Sequence, residues 1–270
     1  MAIQQPKLSK ILAIGDSCID IYAFGNCQRL SPEAPVPIFK ESSRDSRPGM
    51  VLNVAQNLIN LENQVEVITN SIKATKTRLI DSGFMHHLLR LDHEPTSGVF
   101  CMDLLSSINL TDFNTVVISD YNKGFLDYET CRFLCEKFSS SNVPIFVDSK
   151  KRDLRCFENA IIKINAFENS MVTHFPSVCK LIVTHGPQGA EFENKSFAAY
   201  EIEKKMINDY RDVAGAGDTF LAALVHEYLK SDGNLYKSIE FANKCAAIAV
   251  NKFGTYAITY HDLDKLESLK

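Results

Sequence analysis

The densest cluster of residues that could do chemistry is the run DVAGAGDT at residues 212–219. It leads directly into an apolar pattern, FLAALVHEYL, which predicts a helix over residues 216–229. Small residues let the backbone approach a ligand, and the first amides of a helix have no intrahelical acceptor, so this turn is suited to an anion. A helix-start aspartate is often only a cap, which explains Asp212 or Asp218 but not the glycines between them. A carboxylate beside such amides is what phosphoryl transfer needs.

The elements that must position this turn follow an alternating pattern. Short β-branched runs bounded by Gly, Asp or Pro predict buried parallel strands. These runs begin at Ile11, Val65, Val116, Pro144, Ala160 and Leu181. Helical patterns lie at residues 52–61, 127–140, 216–229 and 235–252. Strands alternating with helices predict an α/β sandwich with a mostly parallel sheet.

Two segments depart from this alternation. Residues 34–40 (APVPIFK) carry prolines that suit an edge strand. Residues 75–105 contain three strand-like pieces, TRLID, HHLLRLD and GVFCMDLL, without a convincing helix between them. We expect these pieces to pair into a small separate sheet attached to a single domain, because the chain has no internal repeat or linker.

Composition and charge limit the possible functions. The chain has 270 residues, 45% of them hydrophobic and 23% charged, which is typical of a globular protein with a full core. A net charge of −4 gives no general attraction to nucleic acid or anionic membranes, so we expect neither as a partner. The N-terminal residues lack a long apolar run, which predicts a cytoplasmic protein without a signal peptide or membrane span.

Cysteine and histidine spacing argues against a metal centre. The eight cysteines form no C-x-x-C pair, so we expect neither a zinc site nor, in a reducing cytosol, disulfides, and most should be small buried residues. His86 and His87 are adjacent in a strand-like piece, so they should point to opposite faces and not share a metal.

At the 212–219 run the chain resembles the ribokinase, or PfkB-type, family of sugar kinases, whose signature is D-[TV]-T-G-A-G-D; Ala214 replaces the usual Thr. Further similar pieces occur in the family's order: GDSCID at 15–20, RPGMVLNVAQNL at 47–58, NAFE at 165–168 and VTHGPQG at 183–189. The resemblance runs nearly end to end. It implies a ribokinase-like three-layer sandwich with a mostly parallel sheet and a small β lid. Residues 1–270 would form one kinase domain, with lid strands from about 16–48 and 75–105.

The resemblance implies roles for individual residues. Asp218 would be the catalytic base, and the residues before it would form an anion hole: Ala214, Gly215, Ala216 and Gly217. Substrate positions would be Asp16, Asp20, Gly49 and Asn53. The nucleotide, ATP, would meet Asn165, Thr184, Gly186, Gly189 and Asn243, while Glu168 would act on Mg²⁺ through water. Arg78 and Lys123 are candidates for binding a substrate phosphate, although solvated surface charges are as common.

Several pieces are more narrowly similar to the kinase half of D-glycero-D-manno-heptose 7-phosphate kinases. They are RLSPEAPVPIFK, RPG, SDYNKGFL, VDSK and KFGT. Those enzymes phosphorylate the anomeric hydroxyl and feed lipopolysaccharide-core synthesis, and the resemblance also implies a homodimer through the lid. A group of basic residues favours a phosphorylated acceptor over a neutral sugar. These are Arg29, Arg47, Arg78, Arg90 and Lys123.

The chain departs from the family in three places. Met50 stands where the family has the second glycine of a pair, and so predicts a reshaped sugar pocket. The segments after Val67 and after Glu168 are shorter than in relatives, which predicts a lost edge strand and a shortened helix.

Three alternatives therefore stay open. The chain could phosphorylate another sugar or a nucleoside, or be a non-catalytic binder, although a pure binder has little need for Asp218. A dehydrogenase is disfavoured because GDSCID, not G-x-G-x-x-G, follows the first strand. Since no adenylyltransferase pattern is present, we expect any second activity to belong to another chain.

Overall fold

The computed structural model describes residues 8–71, 73–96, 98–102, 104, 108–202 and 212–267. These residues form two β-sheets. The larger runs in the order β12-β11-β10-β9-β8-β7-β1-β4. Its strands are β1 (Lys10–Gly15), β4 (Gln64–Thr69), β7 (Thr115–Asp120), β8 (Ile145–Ser149), β9 (Ile161–Asn165), β10 (Lys180–Thr184), β11 (Ala190–Phe192) and β12 (Lys195–Phe197). The first six of these pair in parallel, and β11 and β12 are antiparallel.

Helices cover both faces of the larger sheet. They are α1 (Val51–Asn60), α2 (Tyr128–Ser140), α3 (Ala166–Met171), α4 (Ala216–Lys230), α5 (Leu235–Val250) and α6 (Tyr260–Glu267), with 3-10 turns at Leu110–Asp112 and Gly186–Gln188. Successive strand residues point to opposite faces, so Ile11 joins a core with α1, α4 and α5, whereas Leu12 joins one with α2. The predicted α/β sandwich with a mostly parallel sheet is therefore confirmed.

The smaller sheet comes from two regions of the chain. Its order is β3 (Pro37–Met50), β2 (Ser17–Leu30), β5 (Ala74–Asp81) and β6 (His87–His93). β2 pairs with β3 in antiparallel and with β5 in parallel orientation, and β3 is an edge strand as its prolines predict.

The third strand-like piece of the 75–105 segment does not join this sheet. Residues 98–102 and Leu104 lie outside any strand, and residues 103 and 105 are outside the described part. The Phe100 amide donates to the Phe125 carbonyl at 2.9 Å, and the two rings pack with centroids 5.6 Å apart. The prediction of a strand here is wrong, because burying Phe100 in the larger core replaces strand pairing.

The two shortened segments have visible consequences. β4 is the terminal strand of the larger sheet, and only residues 70–73 connect it to β5. After α3, residues 172–179 contain no helix before β10 begins. For the part of the chain that the structure describes, both observations agree with the predicted shortening, in which an edge strand is missing beyond β4 and the helical segment after Glu168 is reduced.

The cysteines and histidines occupy mostly structural positions. Cys18, Cys131, Cys135, Cys156 and Cys245 are buried, and all eight cysteines are free. His87 begins β6, but His86 precedes it, so placing both in one strand was wrong for His86. Within the described residues no group of three His, Cys, Asp or Glu side chains could hold a metal ion. The helices of the described part are too short or too polar to span a membrane.

Candidate functional site

The candidate site lies where the strand order reverses. β1 has β4 on one side and β7 on the other, which makes the crevice beyond their carboxyl ends the usual ligand position in such sheets. Asp16 follows β1 and is buried; its Oδ2 accepts hydrogen bonds from the amides of Tyr121 (2.8 Å) and Lys123 (3.3 Å). Burial raises the pKa of Asp16, and the nearby Asp120 carboxylate adds to this. Asp16 thus ties the ends of β1 and β7 together.

Asp218 stands in the first turn of α4 and is only 4% exposed. Its Oδ2 accepts from Asn53 Nδ2 at 3.0 Å, and its Oδ1 accepts from the Tyr121 hydroxyl at 2.8 Å. Burial raises the pKa of Asp218 to about 6, against the opposing effect of these two hydrogen bonds. A carboxylate with this pKa is ionised near neutral pH and still basic enough to take a proton.

The glycine-containing turn before Asp218 has structural reasons of its own. Gly215 has φ 77°, and a Cβ there would lie 2.7 Å from Asn53 Nδ2, so only glycine fits. The Ala214 amide donates to Asp212 Oδ1 at 2.9 Å, and the Ala216 amide donates to the Val213 carbonyl at 3.2 Å. Two of the four predicted anion-hole amides are therefore already used within the turn.

Helix geometry leaves other amides for a ligand. The amides of the first residues of a helix have no acceptor within the helix. In α4 the Ala216 amide bonds to the Val213 carbonyl, which leaves the amides of Gly217 and Asp218 without an acceptor in the helix. The anion-hole role of Ala214, Gly215, Ala216 and Gly217 stays a prediction. Gly217 suits it best, because its amide has no acceptor within the helix.

Two lysines connect this turn to β8 and α3. Lys163 Nζ lies 2.7 Å from Asp148 Oδ2 and 3.3 Å from the Gly217 carbonyl, and both ionised side chains are almost fully buried. Lys150 Nζ lies 3.0 Å from Asp148 Oδ1 and also pairs with Glu168. Although Asp148 is buried, these two ammonium groups lower its pKa. Positive charge thus lies directly beside the start of α4.

Asn165 and Glu168 form a capping box at the start of α3. The Glu168 amide donates to Asn165 Oδ1 at 2.8 Å, and the Asn165 amide donates to Glu168 Oε2 at 2.9 Å. This arrangement accounts for both residues structurally, so their nucleotide and metal roles stay predictions.

Magnesium can be compared with the donors that the structure has here. Mg²⁺ usually keeps several waters and is bound by one or two carboxylates together with substrate phosphates. Asp148 and Glu168 supply carboxylates, both bonded to Lys150. This set fits a nucleotide-borne Mg²⁺ that reaches Glu168 through water, and it does not fit an all-protein metal cage.

The predicted nucleotide residues fall into two places. Thr184 ends β10, and its hydroxyl donates to the Ile164 carbonyl at 3.4 Å, while Gly186 begins the next 3-10 turn. Gly189 has φ 94°, and a Cβ there would lie 2.0 Å from the Phe197 carbonyl oxygen. Asn243 Nδ2 on α5 donates to the same carbonyl at 3.3 Å. Gly189 and Asn243 are therefore brought together at the end of β12.

The predicted sugar-side residues lie between the two sheets. Asp20 Oδ1 pairs with Arg78 Nη1 at 2.5 Å, and both side chains are buried. A Cβ at Gly49 would lie 2.3 Å from Asp20 Oδ2, which explains why this position is glycine. Lys123 Nζ pairs with Glu94 at 2.7 Å. Arg78 and Lys123 thus have carboxylate partners of their own, which weakens their prediction as phosphate-binding residues.

Met50 keeps a backbone conformation typical of glycine. Its φ is 58° and its ψ is −133°, a region that costs other residues about 1–3 kcal/mol. Its buried side chain packs with Cys18 and Ala74, and against Tyr121. Met50 therefore fills space beside the tyrosine that bonds Asp218.

Known proteins resemble this chain in sequence and in fold. Residues 167–261 match the family described as pfkB family carbohydrate kinase. The bifunctional protein HldE of Campylobacter jejuni subsp. doylei is 29% identical over 303 residues, covering 96% of this chain and 64% of its own length. The bifunctional protein HldE of Helicobacter acinonychis is 30% identical over 301 residues, covering 92% of this chain and 64% of its own. The chain thus spans less than two thirds of these curated relatives.

Solved structures agree on the fold. Phosphofructokinase-2 from Escherichia coli in complex with potassium gives a TM-score of 0.72 at 14% identity, covering 97% of this chain and 99% of its own. Ribokinase from Arabidopsis thaliana complexed with ribose and ATP gives 0.66 at 12% identity, covering 96% and 99%. The sequence match to the pfkB family of carbohydrate kinases lies in the C-terminal half of the chain, over residues 167–261. The predicted resemblance to this family, the ribokinase-like fold and the carbohydrate-kinase class are therefore confirmed.

Four residues around the candidate site escaped prediction as site residues. Tyr121, Lys76, Lys150 and Lys163 all lie within or beside the site. Lys163 had a usable signal, because a charged residue inside the buried run AIIKI needs a buried partner. The others stand in polar segments, where nothing distinguishes an inward side chain from an outward one.

Proposed function

We propose that this kinase transfers the γ-phosphoryl group of ATP to a sugar hydroxyl, with Asp218 as the general base. The observation that carries the proposal is a buried carboxylate with a pKa of about 6 in the first turn of α4, beside unpaired helix-start amides and Lys163. The carboxylate accepts the proton of the attacking hydroxyl, while the amides and Lys163 stabilise charge that develops on the phosphoryl group.

Asn53 and Tyr121 orient the base. Each donates to a different oxygen of Asp218, so the carboxylate plane is held from both sides. ATP as donor is supported by the family match and by the structural similarity to Arabidopsis thaliana ribokinase, which was solved in complex with ribose and ATP. A Mg²⁺ ion bound with the nucleotide would neutralise negative charge on its phosphates. Asn165, Thr184, Gly186, Gly189 and Asn243 are proposed on the nucleotide side, and Glu168 near Mg²⁺.

The proposed acceptor is D-glycero-D-manno-heptose 7-phosphate, phosphorylated at its anomeric hydroxyl. Support comes from the SPEAPVP and SDYNKG runs and from relatives named HldE that align along most of the chain. Asp16, Asp20, Gly49 and Asn53 are the proposed sugar-side residues. A cytoplasmic enzyme acting in lipopolysaccharide-core synthesis is the setting that this assignment implies.

The acceptor is tested by comparing kcat/KM for heptose 7-phosphate, unphosphorylated heptose, fructose phosphates and ribose under the same Mg·ATP. We expect heptose 7-phosphate to exceed each of the others by at least about tenfold, or about 1.4 kcal/mol of transition-state binding. If a neutral sugar exceeds it by that factor, the heptose-phosphate assignment fails while the kinase assignment survives.

We also propose a homodimer through the small sheet. β6 is an edge strand of that sheet, and it exposes Leu88, Leu89 and Leu91. Strand alternation puts Leu89 and Leu91 on one face and Leu88 on the other. A Leu89→Asp/Leu91→Asp variant should therefore elute as a monomer in size-exclusion chromatography with light scattering, while Leu88→Asp stays dimeric. A monomeric wild-type protein would contradict the proposal.

A further inference from the structure

Nearly all the basic residues that favoured a phosphorylated acceptor are already paired. The pairs are Arg47 with Asp45, Arg78 with Asp20, Arg90 with Asp92 and Lys123 with Glu94. Arg29 is exposed near the far end of β2, about 30 Å along the strand from Asp20 at the usual rise per residue. A cation close to Asp218 that has no carboxylate partner would therefore suit a phosphorylated acceptor better than these four.

Lys76 lies on the face of the small sheet that carries the candidate sugar residues. In β5 it stands between the buried residues Ala74 and Arg78, which share its face because strand side chains alternate. Its register partner on β2 is Asp20. The side chain of Lys76 is half-buried and its Nζ lies near the Tyr121 ring, so its ammonium group is not a freely solvated surface charge.

The Tyr121 ring lies between Lys76 and the proposed base, Asp218. Its Nζ lies 5.7 Å from the centre of the Tyr121 ring, and the Tyr121 hydroxyl lies 2.8 Å from Asp218 Oδ1. Asp20, the carboxylate opposite Lys76, uses its Oδ1 for Arg78. Across the residues that the structure describes, Lys76 makes no ion pair, unlike the four cations above. Its charge is thus available to an anion in the acceptor position.

We propose that Lys76 Nζ binds the phosphate group of a phosphorylated sugar acceptor, and thereby selects it over the parent sugar. The inference rests on the proposed kinase function and names the residue that decides its acceptor class. A lysine ammonium is a compact point charge suited to phosphate, and a half-buried one gains a partner only when the acceptor carries an anion.

The test compares Lys76→Met with Lys73→Met, an exposed lysine three positions earlier in the chain. kcat/KM is measured for heptose 7-phosphate and for unphosphorylated heptose under saturating Mg·ATP. We expect Lys76→Met to lower kcat/KM for the sugar phosphate by about tenfold to a hundredfold, mainly through KM, and to leave the parent sugar nearly unchanged. Lys73→Met should change neither. Inorganic phosphate should compete with the acceptor in the wild type and lose this effect in Lys76→Met.

Each other outcome overturns the inference. Equal losses for both acceptors would mean that Lys76 only supports Tyr121 or the fold. If the wild type prefers the sugar phosphate but Lys76→Met has the same kcat/KM for it as the wild type, Lys76 does not bind the phosphate, although a phosphorylated acceptor remains supported. A wild type that does not prefer the phosphorylated sugar would reject both. Lys76→Arg keeps the charge, so it should keep the preference. Lys76→Gln removes the charge but stays polar, and it replaces Lys76→Met if that variant does not fold.

Discussion

Replacing Asp218 with asparagine is expected to lower kcat by about 10²–10⁴-fold while leaving the affinity for ATP nearly unchanged. The side chain keeps its size at the start of α4, but it can no longer accept the proton of the attacking hydroxyl, and general-base help is typically worth this factor. Steady-state kinetics with saturating Mg·ATP and acceptor, together with direct titration of ATP binding, measure the two effects separately.

Asp127→Asn is the matched control for this variant. Asp127 caps α2, where its side chain accepts from the Thr130 amide, and asparagine caps a helix about as well. We expect this control to keep its activity. Near-normal turnover in Asp218→Asn would remove Asp218 from the mechanism.

The same residue links activity and stability to pH. Burial raises the pKa of Asp218 to about 6 from 3.8, so kcat/KM should fall as pH drops below about 6 and the base is protonated. The folded state holds this proton more tightly than the unfolded state, so the fold loses stability as pH rises from about 4 to about 6, and the loss is constant above that. Asp218→Asn should therefore be more stable than the wild type at pH 8, by up to about 3 kcal/mol, and the difference should vanish below pH 4.

Replacing Lys151 with methionine is expected to destabilise the protein by about 3–5 kcal/mol, the usual cost of removing one partner from a buried ion pair. Lys151 Nζ lies 3.0 Å from Asp120 Oδ2, and both side chains are essentially inaccessible to solvent. Although burial favours the neutral amine, the Asp120 carboxylate raises the pKa of Lys151. The substitution therefore leaves a buried carboxylate at the end of β7, next to Tyr121. Urea denaturation at pH 7 measures the free energy of unfolding.

Arg152→Met is the control, because Arg152 is the next residue and its side chain is exposed. We expect it to change the free energy of unfolding little, as surface substitutions usually do. Adding Asp120→Asn to Lys151→Met should recover part of the loss, since the unpaired charge is then gone. A Lys151→Met variant as stable as the wild type would contradict the assignment of a buried charge pair.

Local pattern was enough to predict the main sheet and the start of α4. The runs at Ile11, Val116 and Leu181 are continuously apolar because parallel strands are covered on both faces, and this shows in the order of residue types. The GAGD turn before an apolar helix likewise predicts an anion-binding helix start, since helix-start amides lack partners wherever a helix begins.

The partners of the charged residues depended on the tertiary structure. Asn53 and Tyr121 reach Asp218 from positions 165 and 97 residues away in the chain, and no local pattern indicates either contact. Arg78 was a candidate for binding phosphate, with a solvated surface charge as the alternative, yet it is buried and paired with Asp20, its near neighbour across β2 and β5.

What the sequence by itself determined was therefore the layered fold, the strand runs and the position of the proposed base, because hydrophobic periodicity and helix-start chemistry act over a few residues. Only the tertiary structure decided that Phe100 packs into the larger core instead of extending the small sheet. Among the described residues, it also decided which cations have a carboxylate partner and which, like Lys76, have none. Electrostatic pairing acts over a few ångströms in space, so its outcome is set by which side chains folding brings together.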